Sequence, residues 1–99
     1  MLTKHDDHDD ILAAARAGDL DEVAAVLSMD NRLTRTTDGE GRTPLHLAAL
    51  GGHAGTVELL LHNNADPNVR DREGRTPLAL AESAGHALIA ALLREAGAH

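Results

Sequence analysis

The stretch Gly41-Arg42-Thr43-Pro44-Leu45-His46-Leu47-Ala48 returns 33 residues later as Gly74-Arg75-Thr76-Pro77-Leu78-Ala79-Leu80-Ala81, and the Gly52-His53 behind it returns as Gly85-His86. Between residues 41–55 and 74–88, 10 of 15 aligned positions are identical, so the two stretches are copies of one structural unit. A period of 33 with helix punctuation inside it implies a stacked helical array. In such an array each unit buries its apolar face against its neighbours.

The chain has 99 residues, enough for one small domain that buries roughly 60–70% of the surface its unfolded form exposes. Its apolar content is carried by Leu, Ala, Val and Ile with no aromatic residue, which suits closely packed helices and argues against a barrel. The net charge of −7 is uneven: Asp6, Asp7, Asp9, Asp10, Asp19, Asp21 and Glu22 face only Lys4 and Arg16 within the first 22 residues. An acidic chain without aromatic residues lacks both the phosphate attraction and the stacking platforms that nucleic acid needs, so no nucleic-acid partner is expected. With no cysteine, disulfides and thiolate metal sites are excluded. The opening Met1-Leu2-Thr3-Lys4-His5-Asp6 is not built like a signal peptide, and the longest apolar run, residues 87–93, is too short to span a bilayer. A soluble, cytoplasmic protein without a membrane partner is expected.

Residues 1–8 read as a flexible acidic leader, with Asp9 or Asp10 placed to cap a first helix over residues 11–17. Gly18 stops that helix, Asp19 and Asp21 open a second, and Val23, Val26 and Leu27 follow at helical spacing. Aligning Gly18 with Gly52 needs an offset of 34, so one extra residue lies in the loop between Met29 and Thr37. Asp38-Gly39-Glu40-Gly41 is a turn; Thr43 then caps and Pro44 takes the first helical position, where its missing N–H costs nothing. Gly51-Gly52 ends this inner helix, and residues 56–62 form an outer helix with Val57, Leu60 and Leu61 on one face. Asn63-Asn64 breaks it, Asn being able to enter the left-handed conformation. The third unit repeats the plan, with a turn at 71–75, helices over 76–84 and 86–96, and a stop at Gly97. The expectation is an all-α fold of six helices in three antiparallel pairs.

This arrangement resembles the ankyrin repeat, whose pattern is a finger-like turn, an inner helix opening on Thr-Pro-Leu-His, a Gly-His turn, an outer helix and a Gly-Ala-Asp-x-Asn exit. Residues 38–68 match it nearly throughout, and the third unit matches at Thr76, Pro77, Leu78, Gly85, His86, Leu92, Leu93, Gly97 and Ala98. The first unit lacks Thr-Pro but keeps Ala14, Ala15, Gly18 and Val23, and looks like the family's amino-terminal cap. The resemblance covers residues 9–99 as repeats at about 9–37, 38–70 and 71–99, an ankyrin-repeat solenoid. In the third, Ala79 replaces the motif histidine and Glu82 the second alanine, while Asn64 replaces the exit glycine of the second. Repeat three should therefore be held less firmly than repeat two.

The resemblance also implies that His46 bonds near Thr43 and orders the turn before its helix, a structural role. His53 and His86 likewise occupy scaffold positions. His5, Asp6, His8 and Asp9 have donor types that suit a borderline metal, but a polar leader without a fourth ligand fixed by packing gives no reason to expect a metal site. Neither Ser28 nor Ser83 belongs to a motif with a recognisable base, so no enzyme, catalytic residue or cofactor is expected.

What remains for function is a surface. A stack of such units displays fingers along one edge and inner helices on a concave face, and solenoids bind through surfaces of this kind. The resemblance implies protein recognition at Thr37, Gly39, Glu40 and Arg42 in the first finger and Arg70, Arg72, Glu73 and Arg75 in the second, extended by Leu50, His53, Glu82 and Ser83. The fingers and their approaches hold Arg35, Arg42, Arg70, Arg72 and Arg75, five of the nine basic residues. The alternative is self-association, or stacking on further repeats, through the apolar last helix; a monomer is the expected state and a homodimer the variant of it.

Overall fold

The computed structural model describes residues 7–98, with side chains from Asp10 onward. Six α-helices follow one another: α1 (Asp7–Ala17), α2 (Leu20–Met29), α3 (Pro44–Gly51), α4 (Ala54–His62), α5 (Pro77–Ser83) and α6 (Ala87–Glu95). They pair as α1/α2, α3/α4 and α5/α6, and no strand occurs among the described residues. The odd-numbered helices stack on one another to form the inner layer, and the even-numbered ones form the outer layer. Among the described residues no helix is long and apolar enough to cross a membrane.

Local chemistry sets each boundary. Asp19, Thr43 and Thr76 accept hydrogen bonds from the amides of Glu22 (3.2 Å), His46 (3.3 Å) and Ala79 (3.2 Å), which satisfies otherwise orphaned helix N–H groups. Pro44 and Pro77 follow the two threonines at the first helical position. At the other ends the chain leaves helical geometry through left-handed residues, notably Gly52 (φ 78°) after α3 and Asn64 (φ 67°) after α4. Asn64 stands where the motif has glycine, and Asn is a residue that tolerates this conformation.

Two local expectations need correction. The first helix begins at Asp7, not Ile11, so Asp9 and Asp10 lie within its first turn instead of capping it. Acidic residues are favourable there because they face the positive end of the helix dipole. In the loop between Met29 and Thr37 the chain forms a 3-10 helix, Asn31–Arg35, where no helix was expected. Asp30 caps it by accepting from the Arg32 amide (3.0 Å), and its own Leu33 and Thr34 are buried.

The core is aliphatic and thin. Ile11, Val23, Leu45, Val57, Leu60 and Leu93 have no exposed surface, and Ala15, Ala48, Ala49 and Ala81 let the inner helices approach closely. Repeat two is covered on both sides, α3 by α1 and α5, α4 by α2 and α6. Among the described residues, repeat three is packed against repeat two on one side only. In repeat three Glu82 takes the position of the fully buried Ala49 and is exposed, paired with Arg94 of α6.

Candidate functional site

Each finger is closed by its own aspartate. Asp38 donates its N–H to Arg42 O (3.0 Å), receives the Gly41 N–H on its carbonyl (3.1 Å), and accepts the Glu40 and Arg42 amides on Oδ1 (2.8 and 3.0 Å). Asp71 repeats this with Arg75 O (2.9 Å), the Gly74 N–H (2.9 Å) and the Glu73 and Arg75 amides (both 2.9 Å). The side chains around these loops are not needed to close them.

The fingers are also tied sideways. The Arg72 N–H donates to Glu40 O at 2.9 Å, and Arg42 Nε lies 3.4 Å from Asp71 Oδ2, so the first finger holds the second through backbone and charge together. Gly41 makes this approach possible: a Cβ there would come within 3.1 Å of the Arg72 nitrogen. From the other side Arg16 of α1 reaches Asp38 at 3.7 Å.

Three histidines extend the clamps. His46 is fully buried; its Nδ1 accepts the Thr43 N–H (3.1 Å), while Nε2 lies 2.8 Å from the Arg75 carbonyl. A carbonyl only accepts, so Nε2 carries the proton and the ring is neutral. His53 Nε2 meets the Arg16 carbonyl (3.1 Å), and His86 Nε2 meets the Leu50 carbonyl (3.2 Å), each reaching back to the preceding inner helix. The His53 ring fills the space that side chains at Gly18 and Gly51 would occupy, at 2.4 and 2.6 Å from their absent Cβ atoms. Ala79 has no ring, so repeat three lacks the forward histidine clamp.

Burial and a neighbouring arginine lower the His46 pKa, and the Arg75 carbonyl and Asp71 oppose this without cancelling it; the net result lies below the ordinary value of 6.5. The unfolded chain therefore takes up this proton more readily than the folded one, so stability is complete above about pH 6.5 and declines as pH falls below it. Denaturant midpoints between pH 7.5 and 5 should drop for the native chain. With His46→Ala the baseline should be lower and this histidine's part of the slope absent; an unchanged slope would remove His46 as its source.

The twelve residues expected from sequence divide into two groups. Thr37, Gly39, Glu40, Leu50, Arg70, Arg72, Glu73, Glu82 and Ser83 are exposed. Arg42, Arg75 and His53 are half-buried and already engaged, Arg42 with Asp71 and Glu40, Arg75 with Glu73 (2.7 Å), His53 with the Arg16 carbonyl. The sequence reading missed Asp38 and Asp71 as organisers of the fingers, although their recurrence at the 33-residue period was visible. His5 and Asp6 lie outside the described residues, as do the side chains of His8 and Asp9. Among the described residues no group of three or more His, Asp or Glu is placed to hold a metal ion.

Comparison with known proteins agrees with this geometry. A family model described as ankyrin repeats, in three copies, matches residues 11–99. The chain is 52% identical over 50 residues to the 60 kDa lysophospholipase of Mus musculus, covering 50% of the chain and 9% of that protein. It is 44% identical over 61 residues to the probable E3 ubiquitin-protein ligase XBOS32 of Oryza sativa subsp. japonica, covering 61% and 12%. With GA-binding protein subunit beta-1 of Homo sapiens it shares 46% identity over 60 residues, covering 61% and 15%. The chain thus spans only a small part of the length of the curated relatives it matches, and their named activities belong to those proteins. With three copies of the repeat over residues 11–99 and the inner-helix, outer-helix and finger plan in each of the last two, the chain belongs to the ankyrin-repeat family.

Proposed function

We propose that this chain is a non-catalytic recognition module that binds a protein partner through its finger turns and inner-helix face. The observation that carries this reading is the division of labour in the fingers. Asp38, Asp71, Gly41 and Gly74 use backbone groups and the two aspartate carboxylates to build the loops, which leaves Thr37, Gly39, Glu40, Arg70, Arg72 and Glu73 exposed without a structural duty for most of them. Leu50, Glu82 and Ser83 extend the exposed set onto the inner helices. Arg42 and Arg75 join it less fully, since their charges are partly met inside. The acidic residues interspersed with the arginines favour directional pairing over bulk attraction, so the partner should offer carboxylates and short apolar groups. The proposed setting is the cytoplasm; a tagged full chain concentrated at a membrane or in the nucleus would overturn that part.

Affinity capture with mass spectrometry supplies the partner, and the surface is then tested on it. Arg70→Glu with Arg72→Glu should weaken binding at least tenfold with little change in unfolding, since surface substitutions usually move stability within about 0.5 kcal/mol. Glu58→Arg, exposed on the outer helix α4, should change neither. Loss of binding with Glu58→Arg alone would move the interface to the convex side.

A second reading is self-association through α6, favoured by Leu88, which is 67% exposed beside the exposed Ala84, Ala87 and Ala91. Light scattering separates the two readings: a dimer mass lowered to the monomer by Leu88→Glu would support self-association, and a monomer mass for the native chain would dismiss it.

A further inference from the structure

Among the described residues, Arg16, Arg32, Arg42, Arg75 and Arg94 each stand within ion-pair distance of a carboxylate, whereas Arg35, Arg70 and Arg72 do not. Two of those three belong to one finger. Arg70 and Arg72 are exposed on either side of Asp71, which is turned inward with 7% exposure. Being two residues apart, their Cα atoms lie within about 7 Å of each other.

Arg72 is also held in place. Its N–H is bonded to Glu40 O, and its Cγ lies 3.2 Å from where a Gly41 Cβ would stand, so the aliphatic stem rests on the first finger. Its guanidinium has no ion-pair partner among the described residues. One period earlier the positions of Arg70 and Arg72 are filled by Thr37 and Gly39, both exposed, and nothing lies within 4 Å of the side chain that Gly39 lacks. The arginine pair therefore has small residues beside it in the neighbouring finger. A stem already restrained loses less freedom on binding.

Resting on the protein-interaction reading above, we propose that the second finger recognises a partner segment through two carboxylates separated by one residue, an Asp/Glu-x-Asp/Glu pattern, one meeting Arg70 and the other Arg72. In an extended peptide, side chains at i and i+2 fall on the same side, about 6.5–7 Å apart, which is the upper bound for the Cα separation of Arg70 and Arg72, so one carboxylate can face each arginine. Guanidinium also suits carboxylate because it can offer two parallel donors. A long polyanion would meet Glu40 and Glu73 as well as the arginines, and the chain's net charge of −7 would repel it. A short acidic pattern avoids both.

The test uses the full, isotopically labelled chain and synthetic peptides of about ten residues, blocked at both ends, built of Gly and Ser around an Asp-Ser-Asp centre. Amide shifts should concentrate at residues 69–73 and 37–41, and affinity should fall as salt is raised. Arg70→Ala and Arg72→Ala should each weaken binding by about 2- to 5-fold, the range of an exposed ion pair. Arg72→Lys should weaken it too, because it keeps the charge but not the paired donors. Glu58→Arg should leave it unchanged. Peptides with adjacent aspartates, or with three residues between them, should bind more weakly. Equal affinity at every spacing, no shift at the finger, or tighter binding of a peptide with a single phosphoserine would overturn the assignment. Should a captured partner be lost with Arg70→Glu and Arg72→Glu while all spacings bind alike, the interaction surface stands and this pattern falls.

Discussion

Leu60→Ala is expected to lower the free energy of unfolding by on the order of 2–5 kcal/mol, a large share of what a small domain possesses. Leu60 has no exposed surface and sits in α4, which is packed between α2 and α6. Truncation there removes apolar contact and leaves a cavity that the neighbours on either flank cannot both collapse into. Leu47→Ala, in the inner helix of the same repeat with 4% exposure, should fall in the same range. Leu20→Ala is the control: at 45% exposure its side chain already meets water, and its loss should cost well under half as much. Chemical denaturation of the three variants gives the comparison directly. Similar losses at Leu20 and Leu60 would mean that the repeat-two core is not the centre of stability.

The repeat plan was legible because its signals are local and occur more than once. Thr43-Pro44 and Thr76-Pro77 start inner helices, and the Gly-His turns at 52–53 and 85–86 separate inner from outer helices; each pair stands one period apart. The early start of α1 was less visible, because Asp7, His8, Asp9 and Asp10 carry no apolar periodicity and look alike whether they precede a helix or form its first turn. The 3-10 helix was hidden for a related reason: Leu33 is its one apolar residue, and one residue has no period. At the surface, sequence placed the finger residues by motif position but could not say which arginines are already paired. Arg42 and Arg75 share one repeat position, while Arg72 falls where the preceding unit has Gly39, but repeat position does not state which guanidinium meets a carboxylate. The 3.4 Å approach of Arg42 to Asp71, 29 residues away, is what identifies it as an arginine already engaged.

Asp71→Ala is the other substitution expected to have a large effect, on the order of 2–4 kcal/mol. Its side chain is 1% exposed and does three things at once. Oδ1 accepts the Glu73 and Arg75 amides, Oδ2 lies 3.4 Å from Arg42 Nε, and the same oxygen stands 3.9 Å from Arg75 Nε, a buried group with no hydrogen bond. Alanine would leave two finger amides to find water and the arginines without their shared charge. Asp38→Ala, with its side chain 18% exposed, should cost less. Burial on its own would raise the Asp71 pKa, but the Arg75 and Glu73 amides together with Arg42 outweigh burial and bring it below 3.8. The unfolded chain therefore binds this proton first, so the contribution of Asp71 is present above about pH 3.8 and is lost as the medium becomes more acid than that. Asp71→Asn keeps an acceptor for the amides but not the charge, so it should cost less than alanine at neutral pH and lack this acid step. Hydrogen exchange locates the effect: the Glu73, Gly74 and Arg75 amides should exchange faster in Asp71→Ala beyond any global change. Unchanged exchange there, with stability lost uniformly, would mean that Asp71 supports the stack as a whole and does not specifically hold the finger that presents Arg70 and Arg72.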